Sequence, residues 1–243
     1  LQPTEEGILA ETSEPVGNGD WLREFLQTEI ELEKILRTFP VDEPMKGAVA
    51  ACKGLRILRQ EPWECLASFI LSATKQIVQI RQIVALLCGS FGERLAPGLA
   101  GISGDLLYAF PSAERIAGLT EMDLRSCKMG FRAPNLLGAA RHVAEGRLDL
   151  KRVGELPYGE ARVELMKLRG VGGKIADCVL LFAYGFDSAF PVDVWVERAL
   201  QTLYFPRRRV KEKRLRHFAA THFGPHAGYA QQYLFHYMRT KKK

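Results

Sequence analysis

Apolar residues recur at helical spacing in ten segments of this chain: 21–39, 62–73, 76–90, 113–128, 132–145, 159–168, 174–184, 194–204, 211–222 and 226–239. No segment alternates apolar and polar residues as a half-buried strand would, and no internal repeat is present. The breaks carry Pro or Gly: Pro40 and Pro44, Pro97 and Gly98, Gly101 and Gly104, Pro157, Gly185, Pro191, Gly224 and Pro225. Thr120, with Asp123 three residues on, reads as a helix start of capping-box type. This pattern predicts an all-α, multi-helical protein. A hydrophobic share of 47% over 243 residues is enough for one sizeable core or two smaller lobes. The predicted division is an acidic tail or remnant of an upstream domain at 1–20, a helical domain at 21–239 and a basic tail at 240–243.

Composition narrows the class. No apolar run is long enough to span a membrane. The opening residues are acidic and rich in Pro, Gly and Ser, unlike a signal or transit peptide. The chain opens on Leu1, as a fragment or processed form would. Its five cysteines, Cys52, Cys65, Cys88, Cys127 and Cys178, lie at least thirteen positions apart. That spacing excludes close-set zinc and iron–sulfur motifs, and an odd count suits free thiols in an intracellular reducing compartment. Residues 1–43 carry eleven acids against three Lys/Arg, whereas 200–243 carry eleven Lys/Arg against one acid, Glu212. Positive charge gathered at one end, as in "PRRRVKEKRLRHF" (206–218), points to a polyanionic partner.

The stretch "LRGVGGKIADCVLLFAYG" (168–185) is chemically the richest. Gly170, Gly172 and Gly173, with Val171 among them, form a tight turn between two helices. The amides of such a turn lie at a helix N-terminus, where unsatisfied N–H groups favour an anion such as a DNA phosphate. Lys174 follows in the first helical turn. A cation there opposes the helix macrodipole, so its placement serves nucleophilic reactivity better than stability. The alternative is a solvated lysine beside an ordinary helix–helix turn. Cys178 lies one turn further along the same face, where a neighbouring ammonium would draw a thiol towards thiolate, unless it is simply a packed core cysteine. In "AFPVDVWVERAL" (189–200), Asp193 precedes an apolar helical run. It reads as an N-cap whose carboxylate could also stabilise positive charge developing on a sugar.

These two stretches together resemble the helix-hairpin-helix, Gly/Pro and aspartate signature of the HhH-GPD superfamily of base-excision DNA glycosylases. Four stretches in colinear order are most similar to its 8-oxoguanine glycosylase family: "GLRILRQEPWECLASFI" (54–70), "MGFRAP" (129–134), "VGGKIADC" (171–178) and "GPHAGYAQQYLF" (224–235). The resemblance covers about 21–239 and implies the all-α fold of that superfamily, with the family's N-terminal β-domain largely absent.

It also implies roles. Lys174 would attack the deoxyribose, displace the base and hold the sugar as a Schiff base that permits β-elimination. Asp193 would stabilise oxocarbenium-like charge. Cys178 would form a dipole with Lys174 that senses the oxidised base. Gln231 would hydrogen-bond the edge of a flipped purine and Phe235 would stack on it. Phe131 and Arg132 match a Tyr-Arg pair that wedges into the duplex and contacts the opposite base. Thr74 stands where the family has an asparagine that fills the gap left by the extruded base, and Gln79 where it has an arginine that reads the opposite cytosine.

The implied partner is duplex DNA containing a damaged purine. The implied state is a monomer in the cytoplasm or nucleoid if bacterial and in the nucleus if eukaryotic, with no membrane association, cofactor or catalytic metal. Any cation on the hairpin carbonyls would be structural. Two other readings remain at this stage. A monofunctional alkylpurine glycosylase of the same fold would need Asp193 but no lysine at 174. A non-enzymatic hairpin module would need neither.

Overall fold

The computed structural model describes residues 1–5, 7–10, 12, 17–73, 76–95, 108–207 and 209–240. Its described helices run in chain order α1 Asp20–Leu26, α2 Leu32–Leu36, α3 Glu43–Ala51, α4 Pro62–Ser72, α5 Ile77–Phe91, α6 Ala113–Ala117 and α7 Glu121–Ser126. They continue as α8 Ala133–Ala144, α9 Leu150–Glu155, α10 Tyr158–Met166, α11 Gly173–Val179, α12 Val194–Tyr204, α13 Glu212–His222 and α14 Ala227–Thr240. The described strand content is one antiparallel ribbon, β1 Gln2–Pro3 with β2 Ile8–Leu9. Among the described residues, no helix is long and apolar enough to cross a membrane. The predicted all-α class holds.

The chain forms two compact units, each described by itself below. The first unit comprises Leu1–Asp20 and Ile70–Leu148. Its core is built from Ile83 and Leu87 of α5, Ile116 of α6, Leu124 of α7, and Ala133, Leu136 and Ala140 of α8. The second comprises Trp21–Phe69 and Asp149–Lys243. There Val179, Leu180 and Leu181 pack in a core with Val196, Ala199 and Leu200 of α12, Leu215 of α13, and Tyr233 and Leu234 of α14.

Local chemistry explains where the elements start. The Thr120 hydroxyl accepts from the Asp123 amide at 3.2 Å, and the Asp123 carboxylate accepts from the Thr120 amide at 2.9 Å. This capping box begins α7 and divides the predicted 113–128 helix in two. The predicted 21–39 helix is also divided, into α1 and α2, with Gln27 taking a left-handed φ of 54° just after α1. The periodicity missed α3 and α9. Asp42 caps α3 through the Met45 amide at 2.8 Å, and Pro44 occupies its first turn, where a missing N–H costs nothing. Pro44 therefore belongs to a helix start, although the sequence read it as a break. Asp149 caps α9 through the amides of Lys151 and Arg152.

Candidate active site

The second unit holds the hairpin. Helix α10 ends just before Gly170, which adopts φ +86°, a left-handed turn that glycine makes without penalty. Val171 is buried and its amide donates to the Leu168 carbonyl at 3.1 Å, anchoring the turn. Gly172 is the exposed N-cap of α11, and its carbonyl accepts from Ala176 at 3.0 Å. Gly173 has a different reason for being glycine. A Cβ there would lie 2.1 Å from Nη2 of Arg162, so the guanidinium of α10 occupies the space a side chain would take.

Arg162 is held there by Asp177, a carboxylate almost wholly buried on α11. Asp177 Oδ1 accepts from Arg162 Nε at 2.7 Å and from the Tyr158 hydroxyl at 2.9 Å. Arg216 of α13 approaches Oδ2 at 3.8 Å. One carboxylate thus ties α10, α11 and α13 together. Replacing Asp177 would leave two half-buried guanidiniums and the Tyr158 hydroxyl without their shared acceptor. Tyr158 pays for the arrangement in acidity: burial, together with the adjacent Asp177 charge, pushes its hydroxyl well above the usual range.

On α11, Lys174 is half-buried, with Nζ 5.4 Å from the centroid of the Phe69 ring. Phe69 stacks in turn on Phe182, their centroids 5.6 Å apart and their planes at 24°. Aromatic faces attract ammonium groups, so this pair orients the lysine. Beyond Val179 the helix loosens into one π turn, Leu180–Tyr184, and stops at Gly185 in the left-handed conformation. Asp193 caps α12 as predicted, Oδ1 accepting from the Val196 amide at 2.8 Å.

Of the two sequence readings of Cys178, the burial favours the packed core cysteine. The thiol is buried, and burial pushes its pKa up to about 12. Lys174 pulls in the opposite direction, but the carboxylates of Asp177 and Asp193 add to the upward shift. Desolvation therefore outweighs the neighbouring ammonium, and the group is a neutral thiol near pH 7.

Gln231 and Phe235 lie one turn apart on α14. Gln231 is buried, its Oε1 accepting from Gln232 Nε2 at 2.6 Å. Phe235 is half-buried, with the Arg239 guanidinium 5.3 Å from its ring centroid.

In the first unit, Phe131 sits on a single 3-10 turn, Gly130–Arg132, with 62% of its surface exposed. Its neighbour does not share that exposure. Arg132 is buried, its guanidinium donating to the carbonyls of Met129 and Ala73 and lying 4.3 Å from the Phe131 ring centroid. The resemblance implied that Arg132 contacts the opposite base; in this structure its guanidinium is turned in and supports the turn that carries Phe131. Gln79 is exposed in the first turn of α5, and its Oε1 accepts from the Gln76 amide at 3.2 Å. Thr74 lies outside the described residues.

Comparison with known proteins matches residues 67–223 to the family model described as HhH-GPD superfamily base excision DNA repair protein. Residues 11–66 match the model for the 8-oxoguanine DNA glycosylase N-terminal domain. The chain belongs to the HhH-GPD superfamily, in its 8-oxoguanine DNA glycosylase family. A probable N-glycosylase/DNA lyase of Methanothermobacter thermautotrophicus is 32% identical over 222 residues, 83% of this chain and 69% of that protein. An N-glycosylase/DNA lyase of Saccharomyces cerevisiae is 30% identical over 77% of this chain, which spans about half of that relative's length, 53%. The solved 8-oxoguanine glycosylase/lyase of Clostridium acetobutylicum, in complex with duplex DNA carrying cytosine opposite 8-oxoguanine, superposes with a TM-score of 0.84. It is 35% identical, and the match covers 92% of this chain and 76% of that one.

Within this HhH-GPD frame, sequence reasoning passed over Phe69, Tyr158, Arg162, Asp177 and Arg216. A signal for one of them was present. A carboxylate in the apolar run "KIADCVLLF" must be buried, and a buried charge requires a partner. The partner's identity depended on the tertiary structure.

The thiol state is directly measurable. Because burial raises the folded pKa from an ordinary thiol's 9.0 to about 12, Cys178 stays protonated while an unfolded thiol ionises between those values. Thiolate absorbance near 240 nm, taken as the difference between wild type and Cys178→Ser, is expected to stay absent below about pH 10. A thiolate signal from this residue at pH 7–8 would show that the ammonium prevails over burial.

Proposed function

We infer that this chain is a bifunctional DNA glycosylase and AP lyase that excises 8-oxoguanine from duplex DNA. The observation that carries the reading is Lys174 in the first turn of the hairpin's second helix, with Asp193 at the N-cap of α12 in the same unit.

In this reading Lys174 Nζ attacks C1′ of the extruded nucleotide as the bond from C1′ to the base nitrogen breaks. The base leaves with the bonding electrons. Asp193 stabilises the positive charge that develops on the sugar ring. The C1′–O4′ bond then breaks, O4′ takes up the proton that Nζ gives up, and an imine forms between Nζ and C1′. Loss of a C2′ proton then expels the 3′ phosphate by β-elimination. Gln231 and Phe235 address the edge and face of the flipped purine, with Cys178 nearby as a neutral thiol. Gly170, Gly172 and Gly173 present amides to a backbone phosphate, while Val171 anchors the turn that aims them. The protein acts as a monomer, and its five free thiols suit a reducing compartment.

The test is incubation with an 8-oxoguanine duplex and borohydride. The imine is expected to be reduced to a stable covalent complex. Base release without any trapped complex would mean direct attack by water, as a monofunctional enzyme would use.

Opposite-base selectivity is expected to be loose. Gln79 Oε1 is engaged in capping α5, and Arg132 is turned into its own unit. Each lost base contact removes about 1–3 kcal/mol of discrimination. Single-turnover excision opposite cytosine is expected to exceed that opposite the other three bases by only about tenfold. A preference of several hundredfold would place the cytosine readout on other residues.

Binding should also be strongly salt-dependent. Arg209, Lys211, Lys213, Arg214 and His217, with Val210, line a cavity of about 550 Å³ at the start of α13. If the arginines and lysines here and the hairpin amides meet about four or five phosphates, affinity should fall roughly 10²–10³-fold between 50 and 200 mM salt. Affinity that stays flat over that range would remove this basic face from the interface.

A further inference from the structure

Helix α14 carries Gln231, Phe235 and Arg239 at successive turns of one face. Exposure rises along that stripe: Gln231 is buried, Phe235 half-buried and Arg239 exposed. Side chains on a helix lean towards its N-terminus, so Arg239 reaches back over Phe235. Its guanidinium carbon lies 5.3 Å from the centroid of the phenyl ring, within the range of a cation–π contact. A ring has two faces, and the guanidinium takes one of them.

Charge pairing does not account for this contact. The helix, "AGYAQQYLFHYMRT", contains no carboxylate, and among the described residues Arg239 has none within ion-pair distance. A cation in the last turn complements the helix dipole, but it would do so from any face of that turn. The position one turn beyond Phe235 has a separate effect on the ring. The contact fixes the orientation of a half-buried side chain. It also draws π density towards the guanidinium, and the ring's other face becomes less negative. Two electron-rich aromatic faces repel each other when stacked, so this change favours a purine on the free face.

We propose that Arg239 is a positioning residue for base recognition: it holds the Phe235 ring by one face so that the other face stacks on the extruded purine whose edge Gln231 addresses. The presence of that purine rests on the glycosylase reading given above. Arg239 touches neither the base nor the sugar and acts through Phe235, so its effect falls on the affinity for a duplex that offers a base to stack.

The experiment compares two duplexes by anisotropy, using the full chain with Lys174→Gln so that no base is released. One duplex contains 8-oxoguanine, and the other a tetrahydrofuran abasic site, which has no base to stack. Arg239→Gln is expected to weaken binding of the 8-oxoguanine duplex about two- to fivefold, the size of one exposed cation–π contact, and to leave the abasic duplex unchanged. Arg239→Lys keeps a cation over the ring and is expected to lose less. With Phe235→Leu already in place, Arg239→Gln is expected to have no further effect, because the two side chains form one coupled pair. Equal weakening on both duplexes, with the slope of log affinity against log salt lowered by about one, would make Arg239 a phosphate contact and overturn the proposal. A lower melting temperature with unchanged affinity per folded molecule would overturn it in favour of a charge that only stabilises the helix end. A loss that persists beside Phe235→Leu would also overturn it. Failure of the glycosylase reading itself has a different signature: borohydride would not trap the wild type, and the 8-oxoguanine duplex would bind no more tightly than an undamaged one. If the wild type is trapped and prefers 8-oxoguanine, and Arg239→Gln keeps that preference in full, only the role of Arg239 is wrong.

Discussion

Lys174→Gln is expected to bind damaged duplex with an affinity near that of wild type and to release no base. The substitution is mild for the fold. The side chain is half-buried, and glutamine keeps the methylene groups nearest the backbone. The interaction lost with Phe69 is a partly exposed cation–π contact, worth about 0.5–1 kcal/mol. The hairpin's own supports, Val171 and the Asp177 ion pairs, are untouched. The chemical loss should be of another order. An amide nitrogen is not a nucleophile and cannot form an imine, so both base release and strand cleavage should fall by more than about 10³-fold. Single-turnover kinetics and borohydride trapping check this together. Undiminished trapping in Lys174→Gln would move the nucleophile to another amine. Loss of duplex binding with the fold intact would make Lys174 a phosphate contact.

Asp193→Asn separates two roles that one carboxylate fills. As the N-cap of α12, Asp193 accepts from the Val196 amide, and asparagine caps helices about as well as aspartate. Stability should therefore change little, whereas Asp193→Ala would cost about 1 kcal/mol through loss of the cap. The negative charge is what asparagine removes. Stabilisation of positive charge on the sugar is needed mainly in the transition state, so the rate should fall about 10²–10³-fold while affinity stays close to wild type. Thermal unfolding and single-turnover excision on the same preparation distinguish the outcomes. A large drop in melting temperature with normal chemistry per folded molecule would reduce Asp193 to its capping role.

The sequence by itself determined the features that depend on near neighbours along the chain. Glycines at 170, 172 and 173 before a lysine already implied a helix–turn–helix, and the turn is there, with Gly170 in the left-handed region. Asp193 ahead of an apolar helical run, and Thr120 with Asp123, were legible as caps because a cap is satisfied by amides three residues away. The all-α class followed from periodicity alone. Short capped helices were less legible. α3 and α9 span nine and six residues, and Pro44 within the first turn of α3 looks like a break unless its position relative to Asp42 is noticed.

What the tertiary structure decided concerns environment and distant partners. Lys174 beside Cys178 argued for a thiolate, but sequence spacing cannot report how dry the surroundings are, and burial reverses the result. Arg132 read as a hand extended to DNA, yet its guanidinium is turned in to the carbonyls of Met129 and Ala73. Gln79 read as a base contact and also closes the first turn of its own helix. Asp177, set in an apolar run, signalled a buried charge but not its partners, Arg162 fifteen residues before it and Arg216 from α13. Through these contacts it also gives Gly173 its reason to lack a side chain. A buried charge is paired by whichever residue folding brings to it, and that choice is made through space.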